Sequence, residues 1–456
     1  MPENFTVLSR WRSNYFLLLL ILIHLAFLSV QIANKNLYLV DSQEYLTEAD
    51  NILNTGNFYC GDTGKSTDYS LYTKRPPVYP LFIAFFKAFT SSDILIIITQ
   101  SIISILSIVI IRHSFIQLGY NTNYDLLSLT LLILSPAQMI YANFIMAETI
   151  FQFIFALTFY SAIQFLLKKS VRYLLYFNIL IGLLALTKPV MYLFIYPNLV
   201  FMGYFTFREK SAKPLLLGII PVIIIQAYSF WNYKRTDCRQ FSSIQTINLV
   251  QYNTYYFNAQ RYGFEMADSV LDAKLLKTTE MGSYPERISY LNKSSKEIIK
   301  KDFWGYSWFH LKGVARFFID PGRFDLSNFW GLKNKGEVGF LNYLNSGGLA
   351  GVWRYLLRQN IFLVVTILII TFVNLVKTTG LILFTLQSSI DIRVRLAIIV
   401  LVGYIALATG PLGASRFSMP FIPILIFSAT TTIPELAGRC LGSKAATRYG
   451  TGSTIR

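Results

Sequence analysis

The sequence is poor in the residues that build metal and redox sites. It holds three cysteines and three histidines, His24, His113 and His310, scattered over 456 positions. No C-x-x-C or H-E-x-x-H spacing occurs, which excludes the common zinc arrangements. Acids are scarce as well: 24 Asp and Glu stand against 41 Lys and Arg, and charged residues make up only 14%. So little charge excludes an ordinary soluble domain. What replaces it is apolar: 54% of the chain is hydrophobic, and the mean hydropathy is +0.46.

The apolar residues fall in runs near the length of about 20 that crosses a bilayer. Ten such runs are legible, at 15–33, 93–111, 124–141, 148–167, 172–187, 189–206, 214–231, 360–384, 396–412 and 418–436. The first run shows no small-residue cleavage site and is expected to stay as a membrane helix. The expected fold is an all-α polytopic membrane protein of about ten transmembrane helices. Basic residues punctuate the runs. Arg10 and Arg12, Arg112, Lys168, Lys169 and Arg172, Arg208, Lys210 and Lys213, Arg393 and Arg395, and Arg439, Lys444 and Arg448 all fall on one side if ten spans alternate. That side is the cytoplasm, with both termini in it. The net charge of +17 therefore reflects topology, and no nucleic-acid partner is expected.

Four regions follow: a membrane module at 1–231, a large external loop at 232–359, C-terminal membrane helices at 360–437 and a polar cytoplasmic tail at 438–456. The first external loop, 34–92, is expected to carry interfacial helices. The large loop is too long to be structureless and is expected to be partly folded. Cys60 and Cys238 both lie outside and can reach a common oxidising compartment, Cys440 inside; two free thiols are the favoured reading over a bridge.

"VDSQEYLTEADNIL", 40–53, follows the first run directly. Tyr45, Leu46, Ala49, Ile52 and Leu53 make a helical stripe, predicting a surface helix with its acids on the opposite face. "DSQE" fits a capping box, in which Asp41 caps the helix and Glu44 reaches back. The same acids are also candidates for chemistry, because other charges gather on this side. "YTKRPPVYPLF" presents Lys74 and Arg75 ahead of two prolines that fix the chain. Glu148 opens the run at 148–167, where a carboxylate is costly. Lys188, in "LTKP", sits between two short runs. Arg416, in "SRFSMPFIPIL", starts the last run and has the forked donors that suit a phosphate. Carboxylates beside cations suit the deprotonation of an acceptor and the holding of a departing phosphate.

In order along the chain, "DSQEY", "KRPPVYP", "AETI", "LTKP", "WNYKRTDCRQFSSIQTINL" and "SRFSMPFIPIL" resemble the motifs of the GT-C glycosyltransferases that use polyprenyl-phosphate sugars, the protein O-mannosyltransferase and aminoarabinose-transferase type. Three departures stand out: the acidic pair is spaced as Asp-Ser-Gln-Glu rather than adjacent, the second acidic position, Glu148, is Glu where Asp is common, and Trp231 stands where an Arg often precedes "NY". The resemblance implies an inverting glycosyltransferase. Its donor is a polyprenyl-phosphate-linked sugar and its acceptor a hydroxyl of a glycan, lipid or protein, on the external face of a bacterial plasma membrane. Asp41 acts as general base, with Glu44 and Glu148 as further acids. Lys74, Arg75, Lys188 and Arg416 hold the phosphate. No metal or other cofactor is implied, and membrane lipids are the remaining partner.

Two other classes compete. A transporter or flippase needs ionisable groups at mid-membrane depth, and His24 is read as nearly alone there. A polysaccharide ligase or polymerase is expected to place its essential cations in a late loop rather than an acid after the first span.

Overall fold

The computed structural model describes residues 3–332, 350, 353 and 360–440, with side chains from 14 to 434 among them. The basic side chains expected to mark the two termini, Arg10, Arg12, Arg439, Lys444 and Arg448, lie outside the described residues. So do Cys440's side chain, the tail from 441 and most of the loop's last stretch, 333–359.

Every regular element among the described residues is helical. Among the described residues, eight helices are long and apolar enough to cross a membrane: Asn14–Asn34, Ile94–Gln117, Glu148–Lys168, Pro189–Glu209, Lys213–Thr236, Ile361–Leu386, Ile392–Leu412 and Ser415–Pro434. They make this a multi-pass membrane protein. Of the other two expected runs, one is found close to its expected bounds and one is broken. Val171–Thr187 is a single apolar helix of 17 residues, shorter than the others. The run at 124–141 is broken into Asp125–Ile133 and Ala137–Ala142. Pro136 caps the second piece, and a residue that precedes proline, here Ser135, is driven out of the helical region.

The membrane helices meet through aromatic rings and small residues. Phe115 lies 5.9 Å from Phe159, 5.5 Å from Phe384 and 5.8 Å from Phe427, so one ring joins three other helices. A Cβ on Gly380 would stand 2.3 Å from Ala429; the close approach of these two helices depends on that missing atom. A polar seam runs inside the bundle. His24 Nε2 meets Ser104 Oγ at 3.0 Å, Gln138 donates to Ser104 at 2.8 Å, and Gln138 and Gln152 bond each other at 2.7 Å.

His24 is not alone at depth, contrary to the sequence reading. Lys377, 2% exposed, lies well inside the helix Ile361–Leu386 and donates to Ser135 Oγ at 2.7 Å. Arg112 is also buried and forms a two-pronged ion pair with Asp125. One charge inside a long apolar run barely changes its average, which is why the run at 360–384 concealed Lys377.

The first loop carries two helices, Ser42–Thr55 and Val78–Lys87. The large loop is folded throughout its described part, with helices at Tyr255–Tyr262, Phe264–Thr279, Tyr284–Lys301, Phe303–Ile319 and Arg323–Phe329. The two loops interlock. Ser243 N donates to Thr73 Oγ1 at 3.1 Å, Ser243 Oγ to Ser70 O at 2.7 Å, and Arg235 Nη1 to Phe58 O at 2.8 Å. Helix Phe303–Ile319 rests on the end of helix Ile392–Thr409. His310 Nε2 bonds Leu407 O at 2.7 Å. A Cβ on Gly313 would come within 2.2 Å of Gly410 O, and one on Gly413 within 2.0 Å of Gly313 O.

Cys60 and Cys238 are both free thiols. Burial pushes the Cys60 thiol well above its usual value, and its Sγ donates to Leu71 O at 3.1 Å.

Candidate active site

The chain leaves the first membrane helix at Asn34 and is caught at once by the segment before Glu148. Ile145 N donates to Leu37 O at 2.9 Å. Ser42 Oγ accepts from Leu39 N and donates to Ile145 O, both at 2.8 Å. These bonds bring Asp41 beside Glu148. The capping-box reading of "DSQE" fails here, because Asp41 makes no side-chain cap bond. Its carboxylate and that of Glu44 are drawn instead to cations from other elements.

All seven charged residues singled out in the sequence meet in one unbroken chain of ion pairs. Lys74 Nζ lies 2.6 Å from Glu44 Oε1, and Arg75 Nε lies 2.7 Å from Glu44 Oε2. Arg75 Nη2 reaches Asp41 Oδ1 at 2.8 Å. Arg416 Nη2 pairs with Asp41 Oδ2, and its Nε with Glu148 Oε1 at 2.5 Å. Lys188 Nζ closes the series on Glu148 Oε1 at 2.8 Å. Positive and negative alternate from Lys74 to Lys188. Four cations hold three carboxylates, so the chain carries one positive charge in excess. Both guanidiniums bridge two carboxylates, which uses the fork that a lysine lacks.

Each charge is planted by a local feature. Glu148 is the first residue of its helix and fully buried, where an acid also suits the positive end of the dipole. Lys188 sits in extended backbone between Thr187 and Pro189. Its ammonium lies 5.6 Å from the Phe151 ring and 5.7 Å from that of Phe417. Arg75 lies 4.9 Å over the Tyr45 ring. Burial pushes the Asp41 carboxyl up, but the Arg416 and Arg75 guanidiniums outweigh it and hold the group well below the ordinary carboxylate range. Burial pulls the Lys188 ammonium below its ordinary value, and Glu148 opposes it.

Several residues near this chain escaped the sequence reading. Glu48 does not face away with the other acids: it is 1% exposed, beside the buried Tyr45 and Ala49. Burial drives its carboxyl well above the ordinary value. It neighbours Arg235, whose guanidinium stacks 3.7 Å over Trp231. Tyr141 and Asp325 also gather at Arg416. The Tyr141 hydroxyl donates to Asp325 Oδ2 at 2.5 Å. Burial pushes the Asp325 carboxyl up to about 6, against the Tyr141 and Ser415 hydrogen bonds and the Arg416 charge.

Residues 74–231 match a family model described as dolichyl-phosphate-mannose-protein mannosyltransferase. The matched stretch includes Lys74, Arg75, Glu148 and Lys188; Asp41, Glu44 and Arg416 lie outside it. No curated protein sequence matches the chain. Two solved structures bear a distant likeness. One is the archaeal oligosaccharyltransferase AglB from Archaeoglobus fulgidus in complex with an inhibitory peptide and a dolichol-phosphate. It is 12% identical, with a TM-score of 0.48 over 98% of this chain and 53% of that one. The chain therefore spans about half the length of that protein. The other is ArnT from Cupriavidus metallidurans bound to undecaprenyl phosphate, 12% identical, with a TM-score of 0.39 over 93% of this chain and 79% of that one.

Proposed function

We propose that the protein is a membrane-embedded inverting glycosyltransferase. It moves a sugar from a polyprenyl-phosphate carrier to an acceptor hydroxyl at the outer membrane boundary. The observation that carries this reading is the alternating ion-pair chain with Asp41 at its centre.

The charge balance supports it. A sugar linked through a single phosphate is a diester with one negative charge, and the chain offers one positive charge in excess. When transfer occurs, the acceptor oxygen attacks the anomeric carbon from the face opposite the phosphate. The bond from that carbon to the phosphate oxygen breaks, and its electron pair stays on the phosphate. The acceptor proton passes to Asp41. The departing monoester then approaches two negative charges, since its second ionisation lies near pH 6. The chain, having gained a proton, holds two positive charges in excess. Neutrality is kept on both sides of the step, so the site stabilises the product without recruiting further charge.

The same pairs explain how Asp41 becomes a base. Held by two guanidiniums it is a weak proton acceptor, since proton transfer is favoured by a value near the working pH. A phosphate that takes up donors of Arg75 and Arg416 releases the carboxylate and raises its basicity where the acceptor waits. Lys188 and Arg416 receive the leaving phosphate, and Glu148 keeps both cations in place between turnovers.

The test is incubation of the purified protein with labelled polyprenyl-phosphate sugars carrying mannose, glucose, galactose, arabinose or an amino sugar. Transfer or hydrolysis with one donor, lost in Asp41→Asn, supports the reading. Inertness towards every donor defeats it.

A further inference from the structure

The turn that presents Arg416 is gripped from the large loop. In "IDPGRFDL" (319–326) two carboxylates converge on one residue, Ser415. Asp320 Oδ2 accepts from Ser415 N at 2.6 Å, and Asp325 Oδ2 accepts from Ser415 Oγ at 3.2 Å. Between them Gly322 adopts a left-handed φ of +70°, and a Cβ there would stand 2.5 Å from Ser415 Oγ. Only glycine combines that conformation with that approach. The same Asp325 oxygen also accepts the hydroxyl of Tyr141, which is fully buried. Tyr141 belongs to the short helix after the Pro136 break, six residues before Glu148's N-terminal neighbour.

We infer that Asp325 is a positioning residue for sugar transfer: by holding Ser415 against Tyr141, it aims the Arg416 fork at Asp41 and Glu148. The inference rests on the proposed reading of the site. Asp325 makes no hydrogen bond to Arg416 itself, and acts on it through the preceding residue. Ser415 begins the helical turn Ser415–Ser418, so a shift of its backbone swings the guanidinium directly. The large loop is thereby a part of the site rather than a cover over it. This explains why Phe303–Ile319 is docked so closely, through Gly313, on the Gly410–Gly413 turn that precedes Ser415.

The experiment compares wild type, Asp325→Asn, Arg416→Lys and the double variant, each purified in detergent. Two quantities are read: kcat and KM for the active donor, and the Kd for undecaprenyl phosphate, which needs no turnover. An aiming error at reacting groups costs up to about a hundredfold. Asp325→Asn is expected to lower kcat by about tenfold to a hundredfold, with KM changed less, because the departing phosphate gains charge only as the bond breaks. In the Arg416→Lys background, where the fork is already absent, the same substitution is expected to do little. Coupled residues show such non-additivity, and independent ones do not. Equal losses in both backgrounds, or an Asp325→Asn protein with wild-type kcat, overturn the inference. Where Asp325→Asn is not monodisperse, Ser415→Ala removes one hydroxyl from the same carboxylate and is held to the same two outcomes. Failure of the wild type with every donor would count against the proposed function instead, and the Kd comparison then decides whether Asp325 acts through Arg416.

Discussion

Asp41 and Arg416 stand 375 positions apart and form one ion pair, Oδ2 on Nη2. The contact joins the turn after the first described membrane helix to the start of the last one, and it draws in Arg75 on one side and Glu148 on the other.

Removing the carboxylate while keeping its shape separates the proposed base from the phosphate site. Asp41→Asn should reduce transfer by about 10² to 10⁴-fold, the usual contribution of a positioned base. It should not weaken undecaprenyl-phosphate binding, and tighter binding is expected, because Arg75 and Arg416 lose a competing anion. Radiolabel transfer and equilibrium binding on the same preparation check both halves. Weaker binding would place Asp41 with the ligand contacts instead.

Glu148 is the fully buried member of the chain, and two cations depend on it. Breaking a buried pair by deleting one partner costs about 3–5 kcal/mol, because a charge is left without compensation. Glu148→Gln is therefore expected to lower the thermal midpoint in detergent clearly. Adding Lys188→Met, which removes one of the stranded charges, should recover part of the loss. A single variant as stable as wild type would show that the charges find water instead.

Much of this site was legible because each of its charges interrupts or borders an apolar run. Asp41, Lys188 and Arg416 stand out against their neighbours, and elementary membrane energetics marks such positions. Ser42, Tyr141 and Asp325 had no such contrast. Their role depends on which segments meet in space, and a polar residue in a polar loop carries no local sign of that. The run at 124–141 reads as one helix because its apolar total is summed across Pro136, whose effect on Ser135 was readable in the sequence; the structure breaks it in two there. Glu48 was misassigned because a count of apolar positions gives a helix one buried face. Here the face is shared with Arg75 and Arg235 and tolerates a carboxyl.

That carboxyl yields a pH prediction. Its folded value is raised, so the folded state keeps a proton that the unfolded chain has already lost above the ordinary glutamate value of about 4.3. Wild-type stability should therefore fall as pH rises from that value towards the folded one. Glu48→Gln carries no such group. Its thermal midpoint should gain on wild type as pH rises, and the gap should close in acid. Midpoints measured across a pH series check this; a gap that stays constant or widens in acid would contradict it.

Arg75 engages Asp41 through one nitrogen and Glu44 through another. Lysine has the charge and lacks the fork. Arg75→Lys should cost more than tenfold in transfer, while Lys74→Arg, at the outer end of the chain, should change it little. Steady-state rates with a single donor suffice, and the reverse order would place the phosphate nearer Lys74.

The contact between Gly313 and Gly413 constrains anyone who wishes to rebuild this protein. A side chain on Gly413 would begin where Gly313 O lies, and one on Gly313 where Gly410 O lies, so neither segment can be borrowed from another scaffold by itself. A graft of helix 303–319 without its matching turn at 410–413 would ride up by the thickness of a methyl group. The displacement would be felt, one residue after Ser415, at the guanidinium.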